Sequence, residues 1–313
     1  MIQTVTGICK EKDIKNTLPH EHLVFGKPGM AGDGDNPYCR QAAVSHIRSM
    51  LEKVKPYEVN LIVDATTIEY GRDPVLMKEM SEESGIKIVC ATGFFKDEGD
   101  MLAHLKALSY TCSLQDYLKK YFILEIVDGI GDCGIKAGAL KAATSLGQIR
   151  PLEKVILMAA AEAQKETGVP LLTHCDGGTM GMGQVKLLLS MNVLPSKIII
   201  GHMSSNRNLQ EIREIIKCGV FVAFDQFGIL SIPGIPTDEE KAENLRILLE
   251  EGYEDSIVLS NDCCFDRMGY VSKSKPRYPD MIYRFVLPYL REKGIGEETI
   301  GKITRDNLMR AFR

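Results

Sequence analysis

The sequence predicts an α/β protein, a (β/α)8 TIM barrel built as a single domain over residues 1–313. Short, nearly all-apolar runs, typical of strands buried on both faces, alternate with longer segments of helical spacing. Eight such strand–helix units can be counted, and eight units close naturally into a barrel. The loop after the first strand has no GxGxxG sequence and the chain has no repeat of fixed period, which argues against an open doubly wound sheet and against a solenoid.

The first half of the chain supplies four of the predicted strands. Residues 18–23 form the first strand, and a glycine-rich loop at 26–37 separates it from a helix over 43–54 that Pro56 stops. The next strands are predicted at 60–66, 86–93 and 133–137, with a helix at 73–84 that Gly85 closes and a helical zone from Ser113.

The second half continues the same alternation. Pro151 occupies the position that proline prefers at the start of a helix, and Gly168 marks the end of that helix. Thr237 and Glu240 have the spacing of a capping box, which predicts that another helix begins there. The remaining strands are predicted at 169–174, 197–202, 220–225 and 256–262, with closing helices near 280–293 and 297–312.

The composition is that of an ordinary globular protein that acts on small molecules. Hydrophobic residues make up 44% and charged residues 26%, and a net charge of −4 offers no basic surface for nucleic acid. The nine cysteines include no CxxC pair, and the sequence has neither a secretion signal nor an apolar run long enough to span a membrane. These features predict a reduced, cytoplasmic protein with no nucleic-acid or membrane partner.

The segment at 18–23, Leu-Pro-His-Glu-His-Leu, carries the first chemical signal. On a strand, His20 and His22 share a face while Glu21 points away, so the two imidazoles can form a chelate. A His-x-His pair also occurs as ordinary polar decoration. Two further histidines, His174 and His202, end apolar runs, so four of the six histidines in the chain are placed like ligands.

In a barrel, the polar residues that end the strands meet at one mouth. Each of these residues also has an ordinary role open to it: a core histidine, a helix cap for Asp262, or a surface position for Lys136. Their common position at strand ends favours a metal centre, and a protonated lysine beside two dications would be repelled unless it lost its charge. The predicted set is His20, His22, Lys136, His174, His202 and Asp262.

Five segments in the order LPHEHL, GIKAG, LLTHCDGG, IIIGHMSSN and VLSNDC resemble the phosphotriesterase family of the amidohydrolase superfamily. The resemblance covers essentially the whole chain. It implies that Lys136 is carbamylated and bridges two divalent metals, one also held by His20, His22 and Asp262 and the other by His174 and His202. A hydroxide between the metals is then the nucleophile, and Asp262 is the acid–base residue. The ligand types suit zinc, with manganese or cobalt as alternatives.

The family acts on organophosphate esters, acyl homoserine lactones and phosphorylated sugar lactones, so the loops must indicate the substrate. Phenylalanine at 94 and 95 stands where the resembled homoserine lactonases tend to have tyrosine, which argues against that substrate. After strand eight, a run of donors could form an anion cradle at the mouth, although such a run is also typical of a solvated loop. The predicted substrate-binding residues are Lys96, Asp225, Gln226, Arg267, Tyr270, Lys273, Lys275 and Arg277. Asp225 could equally cap the following element.

The sequence therefore predicts a hydrolase that opens a lactone, foremost an anionic, phosphorylated sugar lactone. The alternatives are an unphosphorylated lactone or ester, a phosphotriester, a single-metal hydrolase, and a binding protein without turnover. The family resemblance implies a homodimer.

Overall fold

A computed structural model describes residues 1–35, 37–97, 102–229, 234–268 and 278–313. An antiparallel hairpin of two strands precedes a nine-stranded sheet in which every neighbouring pair is parallel. The strands are β1 (Ile2–Thr4), β2 (Gly7–Cys9), β3 (Asn16–Phe25), β4 (Val59–Asp64), β5 (Lys87–Gly93), β6 (Ala139–Thr144), β7 (Leu171–Cys175), β8 (Ile198–Ile200), β9 (Phe221–Phe224), β10 (Ile257–Leu259) and β11 (Cys264–Arg267).

Helices connect successive strands from β3 to β10, as parallel pairing requires. They are α1 (Arg40–Val54), α2 (Pro74–Ser84), α3 (Leu102–Ser109), α4 (Leu114–Val127), α5 (Pro151–Thr167), α6 (Gly181–Ser190), α7 (Leu209–Lys217), α8 (Asp238–Glu250), α9 (Leu287–Glu292), α10 (Glu297–Gly301) and α11 (Asn307–Phe312). Two π-helical segments, Ile282–Val286 and Lys302–Asp306, adjoin α9 to α11. Among these helices, none combines the length and apolar character needed to cross a membrane.

The predicted helix boundaries follow from local capping. The Asp73 side chain accepts a hydrogen bond from the backbone N–H of Leu76 at the start of α2, and Gly85 ends that helix with φ of 77°. Thr237 and Glu240 form the expected capping box at the start of α8. The hairpin of β1 and β2, and helix α3, were not predicted.

The sheet order is β10-β9-β8-β7-β6-β5-β4-β3-β11. Strand eight of the barrel is divided, because β10 pairs with β9 whereas β11 pairs with β3. Between these two halves, the backbone N–H of Asp262 donates to the carbonyl of His20 at 3.0 Å, which joins the last strand to the first. The predicted (β/α)8 barrel is confirmed.

Alternate residues of the strands enter two apolar layers. Leu61 and Val63 of β4 belong to the layer inside the barrel, whereas Ile62 faces the helices. All three side chains are fully buried. Burial on both faces explains why the strands appear in the sequence as continuous apolar runs.

Hydrogen bonds to the Glu21 side chain connect β3 to the segment that lies between the two halves of strand eight. This side chain points away from the neighbouring histidines and is fully buried. The Glu21 carboxyl oxygens accept hydrogen bonds from the backbone N–H groups of Asn261 at 2.8 Å and Cys263 at 2.7 Å, and from the Ser260 hydroxyl at 2.7 Å. Burial raises the pKa of Glu21 to about 8, against the effect of these donors. Glu21 thus holds both chain neighbours of Asp262, so the strand that carries His20 and His22 also fixes the position of Asp262.

Candidate metal centre

Two histidines of β3 form the first part of the site. The rings of His20 and His22 lie 5.6 Å apart between centroids, on the face that their spacing predicts. Their Nε2 atoms approach one carboxylate oxygen, Oδ1 of Asp262, at 4.0 Å from His20 and 3.2 Å from His22. The Thr66 hydroxyl lies 2.9 Å from His22 Nδ1 and holds that ring from behind. Burial lowers the pKa of His20 to about 4.

A buried lysine lies against this pair. Lys141 is 1% exposed, and its Nζ is 2.7 Å from His20 Nε2. Burial lowers the pKa of Lys141 to about 8, although Asp262 and Asp225 favour its charged form. The backbone here depends on Gly93 (φ 142°), because a Cβ at that position would lie 1.8 Å from the Lys141 carbonyl oxygen.

The predicted bridging lysine, Lys136, lies elsewhere. It precedes β6 in an irregular segment and is half-buried, whereas Lys141 is within that strand. Five residues of extended chain span roughly 15 Å, so Lys136 is not part of the cluster that contains Lys141. The prediction was wrong because it placed the fourth strand at 133–137. The true strand, Ala139–Thr144, is rich in alanine, which has little preference for strands.

His174 and His202 form the second part of the site. Nδ1 of His174 and Nε2 of His202 are 2.6 Å apart, and the two rings are nearly perpendicular. Among the described residues, Nε2 of His174 has no hydrogen-bond partner; Asp176 Oδ1 is 3.9 Å away. Burial lowers the pKa of His174 well below its usual value, so its ring is neutral and can offer a lone pair to a cation.

Asp225 connects the two parts. Its carboxylate is fully buried, with Oδ2 3.0 Å from His20 Nδ1 and Oδ1 2.8 Å from His202 Nδ1. Burial alone would raise the pKa of Asp225, but the His202 and His20 rings lower it below its ordinary range. A carboxylate that accepts both Nδ1–H groups leaves both Nε2 lone pairs available. The structure therefore gives Asp225 two histidine rings as hydrogen-bond partners, a role that neither the predicted substrate contact nor the predicted cap included.

Asp262 completes the cluster. Its Oδ1 faces the His20 and His22 rings, and its Oδ2 accepts a hydrogen bond from the Gln226 side-chain amide at 3.1 Å. Burial acts to raise the pKa of Asp262, but the hydrogen bond from His22 and the nearby His202 keep it well below the ordinary value. Asp262 is therefore a carboxylate, as its predicted roles require.

Three site residues share an uncommon backbone conformation. His202, Gln226 and Asp262 follow β8, β9 and β10, and their φ angles are 61°, 61° and 51°. Residues other than glycine rarely adopt this left-handed region, at a cost of about 1 kcal/mol or more each. Strained residues of this kind concentrate at functional sites.

The donor set fits divalent cations. The ligating atoms of His20, His22 and Asp262 all lie within 4.8 Å of one another. The same holds for His20, His202 and Asp225, but Asp225 faces the Nδ1 atoms and so orients the rings. Neutral imidazoles and a carboxylate suit zinc, manganese or cobalt. The structure thus brings together five of the six side chains predicted as ligands, and Lys141 rather than Lys136 lies beside them.

A family model described as the phosphotriesterase family matches residues 1–312. The chain belongs to the phosphotriesterase family. An aryldialkylphosphatase of Saccharolobus solfataricus is 32% identical over 97% of this chain and 96% of its own. The phosphotriesterase homology protein of Escherichia coli is 30% identical over 95% and 97%. A mutant of a PTE-like lactonase from Deinococcus radiodurans superposes with a TM-score of 0.95 at 36% identity, covering 100% of both chains.

The phosphotriesterase family lies in the amidohydrolase superfamily and consists of hydrolases that depend on two metal ions. This chain is accordingly a hydrolase, and the cluster around His20 and His202 is its candidate metal centre. The predicted family and enzyme class are confirmed.

The described members of the predicted substrate-binding set have different surroundings in this phosphotriesterase-family chain. The Lys96 ammonium is 2.6 Å from Asp176 and so forms an ion pair beside His174. Gln226 contacts Asp262, and Arg267 is exposed at the end of β11. The other predicted donors, which are Tyr270, Lys273, Lys275 and Arg277, lie outside the described residues.

An aromatic wall runs along one side of the centre. We use this name for Phe25, Tyr70 and Phe95, which follow or end β3, β4 and β5. Their ring centroids are 5.0 Å and 4.8 Å apart in that order, and the wall ends 5.5 Å from the His22 ring and 4.6 Å from the His174 ring. It therefore reaches from one pair of candidate ligands to the other.

Sequence reasoning missed three contributors to the centre. Lys141 is the single charged residue between positions 137 and 149. A lone charge in such a stretch could have indicated that Lys141 belongs to the site. The roles of Asp225 and Thr66 left no comparable signal, because they depend on which ring nitrogens those side chains meet in the folded barrel.

Proposed function

We propose that this chain uses two divalent metal ions, zinc foremost and manganese or cobalt as alternatives, to hydrolyse lactones that carry an apolar substituent. His20, His22 and Asp262 would hold one ion, and His174 and His202 the other. When bound, the ions would supply an activated water and polarise the lactone carbonyl. The convergence of these side chains supports the proposal.

Lys141 is proposed as the carbamylated bridge between the two sets of ligands. Its neutral amine bonds through the Nζ lone pair to the carbon of carbon dioxide, and the nitrogen loses a proton to solvent. The product is a carbamate with two oxygens. Its burial beside His20 favours this reaction, because burial disfavours the ammonium form that cannot react.

Asp262 is proposed as the acid–base residue. Its Oδ1 lies among the ligands, which leaves Oδ2 to take the proton of the attacking water. The same carboxyl group then delivers that proton to the alkoxide oxygen released when the lactone ring opens. Asp225 holds His20 and His202 in orientation through both steps.

The aromatic wall is the observation that indicates the substrate. Phe25 and Phe95 are half-buried at the wall's two ends, next to His22 and His174. An apolar substituent placed against these rings would lose water contact without leaving a polar group unpaired. The backbone N–H of Phe95 donates to Glu69 at 2.6 Å, which fixes that end of the wall.

A series of γ- and δ-lactones with alkyl substituents of increasing length tests this function in zinc- and manganese-loaded protein. We expect kcat/KM to rise by about fourfold per methylene while the chain extends along the wall, since each buried methylene contributes about 0.8 kcal/mol. Hydrolysis rates for a carboxylic ester and a phosphotriester are measured beside the lactones and should be lower. Turnover of no compound would favour the binding-protein alternative.

The variant Phe95→Ala shows whether the wall causes that rise. It should flatten the dependence on chain length and leave the unsubstituted lactone almost unaffected. Phe285→Ala is the matched control, because Phe285 lies in a π-helical segment and stacks on Tyr289, which is not part of the wall. A chain-length dependence that survives in Phe95→Ala would contradict the role of the wall.

A phosphorylated sugar lactone is the second candidate, and Arg267 favours it. The residue is exposed and pairs in register with Phe25, so it lies next to the mouth. Arg267→Ala should lower kcat/KM for an aldonolactone phosphate by about tenfold to a hundredfold, as expected for one charge-assisted contact of about 1.5–3 kcal/mol. The same lactone without phosphate should be affected little. Equal losses on both compounds would eliminate this candidate.

A further inference from the structure

We propose that Gln226 is a positioning residue that presents Asp262 in its reactive orientation, and that Ser205 fixes the Gln226 amide. This inference rests on the proposed acid–base role of Asp262. Gln226 Nε2 donates to Oδ2 of Asp262 at 3.1 Å, and the Ser205 hydroxyl donates to Gln226 Oε1 at 2.8 Å. A carboxylate can only accept, so the amide must turn its NH2 group toward Asp262.

The backbone of Gln226 is held as firmly as its side chain. The buried ammonium of Lys241 donates to the Gln226 carbonyl at 2.6 Å and lies 3.3 Å from Asp238. Asp238 in turn accepts a hydrogen bond from the N–H of Gly228 at 2.8 Å. An ion pair in the first turn of α8 therefore holds the loop on both sides of Phe227. These contacts stabilise the left-handed conformation at Gln226, which directs its side chain to Asp262.

The two oxygens of Asp262 consequently have different environments. Oδ1 faces the His20 and His22 rings, while Oδ2 is held by Gln226. Without that hydrogen bond, rotation of the carboxylate would exchange the two oxygens or move both away from the histidines. A hydrogen bond to a charged group is stronger than one between neutral groups, and the Gln226 amide therefore favours one orientation of the carboxylate.

The series Asp262, Gln226 and Ser205 contains no second group that titrates. An amide and a hydroxyl can orient a carboxylate, but they do not store a proton at neutral pH. The proton taken up by Asp262 therefore leaves toward the substrate or the solvent and does not pass inward along this series. Gln226 acts through geometry alone.

A double-mutant cycle tests this role in the metal-loaded protein. Gln226→Met keeps the side-chain length and removes the hydrogen bond, so kcat should fall by about tenfold to a hundredfold while KM changes little. Ser205→Ala should lower kcat by about threefold, because the amide keeps its contact with Asp262 but loses its fixed orientation. Since Ser205 acts through Gln226, the double variant should be no slower than Gln226→Met.

A second measurement requires no turnover. Removing the contact that orients a ligand typically weakens metal binding by about tenfold to a hundredfold. In competition with a chelator, Gln226→Met should release one of its two zinc ions more readily by about that factor. The melting temperature of its metal-free form should match that of the unaltered protein. The control is Gln210→Met, in which an exposed glutamine that pairs with Glu214 on α7 undergoes the same change.

An unchanged kcat in Gln226→Met, or losses in the two single variants that simply add, would overturn the proposal. A lowered melting temperature of metal-free Gln226→Met that accounts for the lost activity would also overturn it, since the role would then be structural. The kinetic cycle is run on whichever lactone, ester or phosphotriester is turned over. Failure of the lactone proposal is therefore distinguished from failure of this one.

Discussion

Lys141→Ala should reduce kcat/KM by about a thousandfold or more and leave fewer than two metal ions per chain. The variant removes the group proposed to join the two sets of ligands, and metal-based stabilisation of a transition state is worth several kcal/mol. Metal content by mass spectrometry and rates on the best lactone measure both effects. A short carboxylic acid with excess metal should restore part of the activity by taking the place of the carbamate.

The matched control is Lys136→Ala, which changes the same residue type on the same stretch of chain. Lys136 lies before β6 and outside the cluster, so activity and metal content should be those of the unaltered protein. Native mass spectrometry should also show one added carbon dioxide per chain, lost in Lys141→Ala and kept in Lys136→Ala. The reverse result would restore Lys136 as the bridge.

Asp262→Asn should lower kcat by roughly a hundredfold to ten-thousandfold, the range expected when a general acid–base group is lost. The substitution keeps the size of the side chain but removes the charge that faces His22 and His20. Initial rates across a range of pH and the metal content of the variant separate the loss of the base from the loss of a ligand.

Asp266→Asn serves as the comparison for this variant. Asp266 lies on β11 and pairs with His46, away from the centre, so the same chemical change there should leave the rate unaltered. Circular dichroism of both variants should match that of the unaltered protein. A normal rate in Asp262→Asn would remove its acid–base role.

The barrel could be predicted because its strands are buried on both faces and its helices carry explicit caps. His20 and His22 were predictable for a similar reason, since alternation along a strand fixes which side chains share a face. His174, His202 and Asp262 end apolar runs, and strand ends meet at one mouth in this fold. These predictions needed only local pattern and the rule of barrel geometry.

The remaining features depend on contacts between distant segments. The fourth strand was misplaced because alanine has little preference for strands, and for the same reason Lys136 was chosen in place of Lys141 as the proposed bridge. Asp225 was predicted either to contact substrate or to cap the next element, because the sequence shows a carboxylate at a strand end but not the two Nδ1 atoms that it contacts. The contact between Gln226 and Asp262 depends on the left-handed backbone conformation of Gln226. A glutamine in the sequence does not predict that conformation.

Because strand eight closes the barrel next to the candidate metal centre, the centre can form only late in folding. Ser260 contacts His20, and Cys263 contacts Glu21, across some 240 positions of chain, so these are among the last contacts that a growing or refolding polypeptide can make. Asp262 reaches His22 only when the first and last strands have met. Capture of the ion proposed to bind His20, His22 and Asp262 should therefore require barrel closure, and the time course of metal uptake during refolding would report that final step directly.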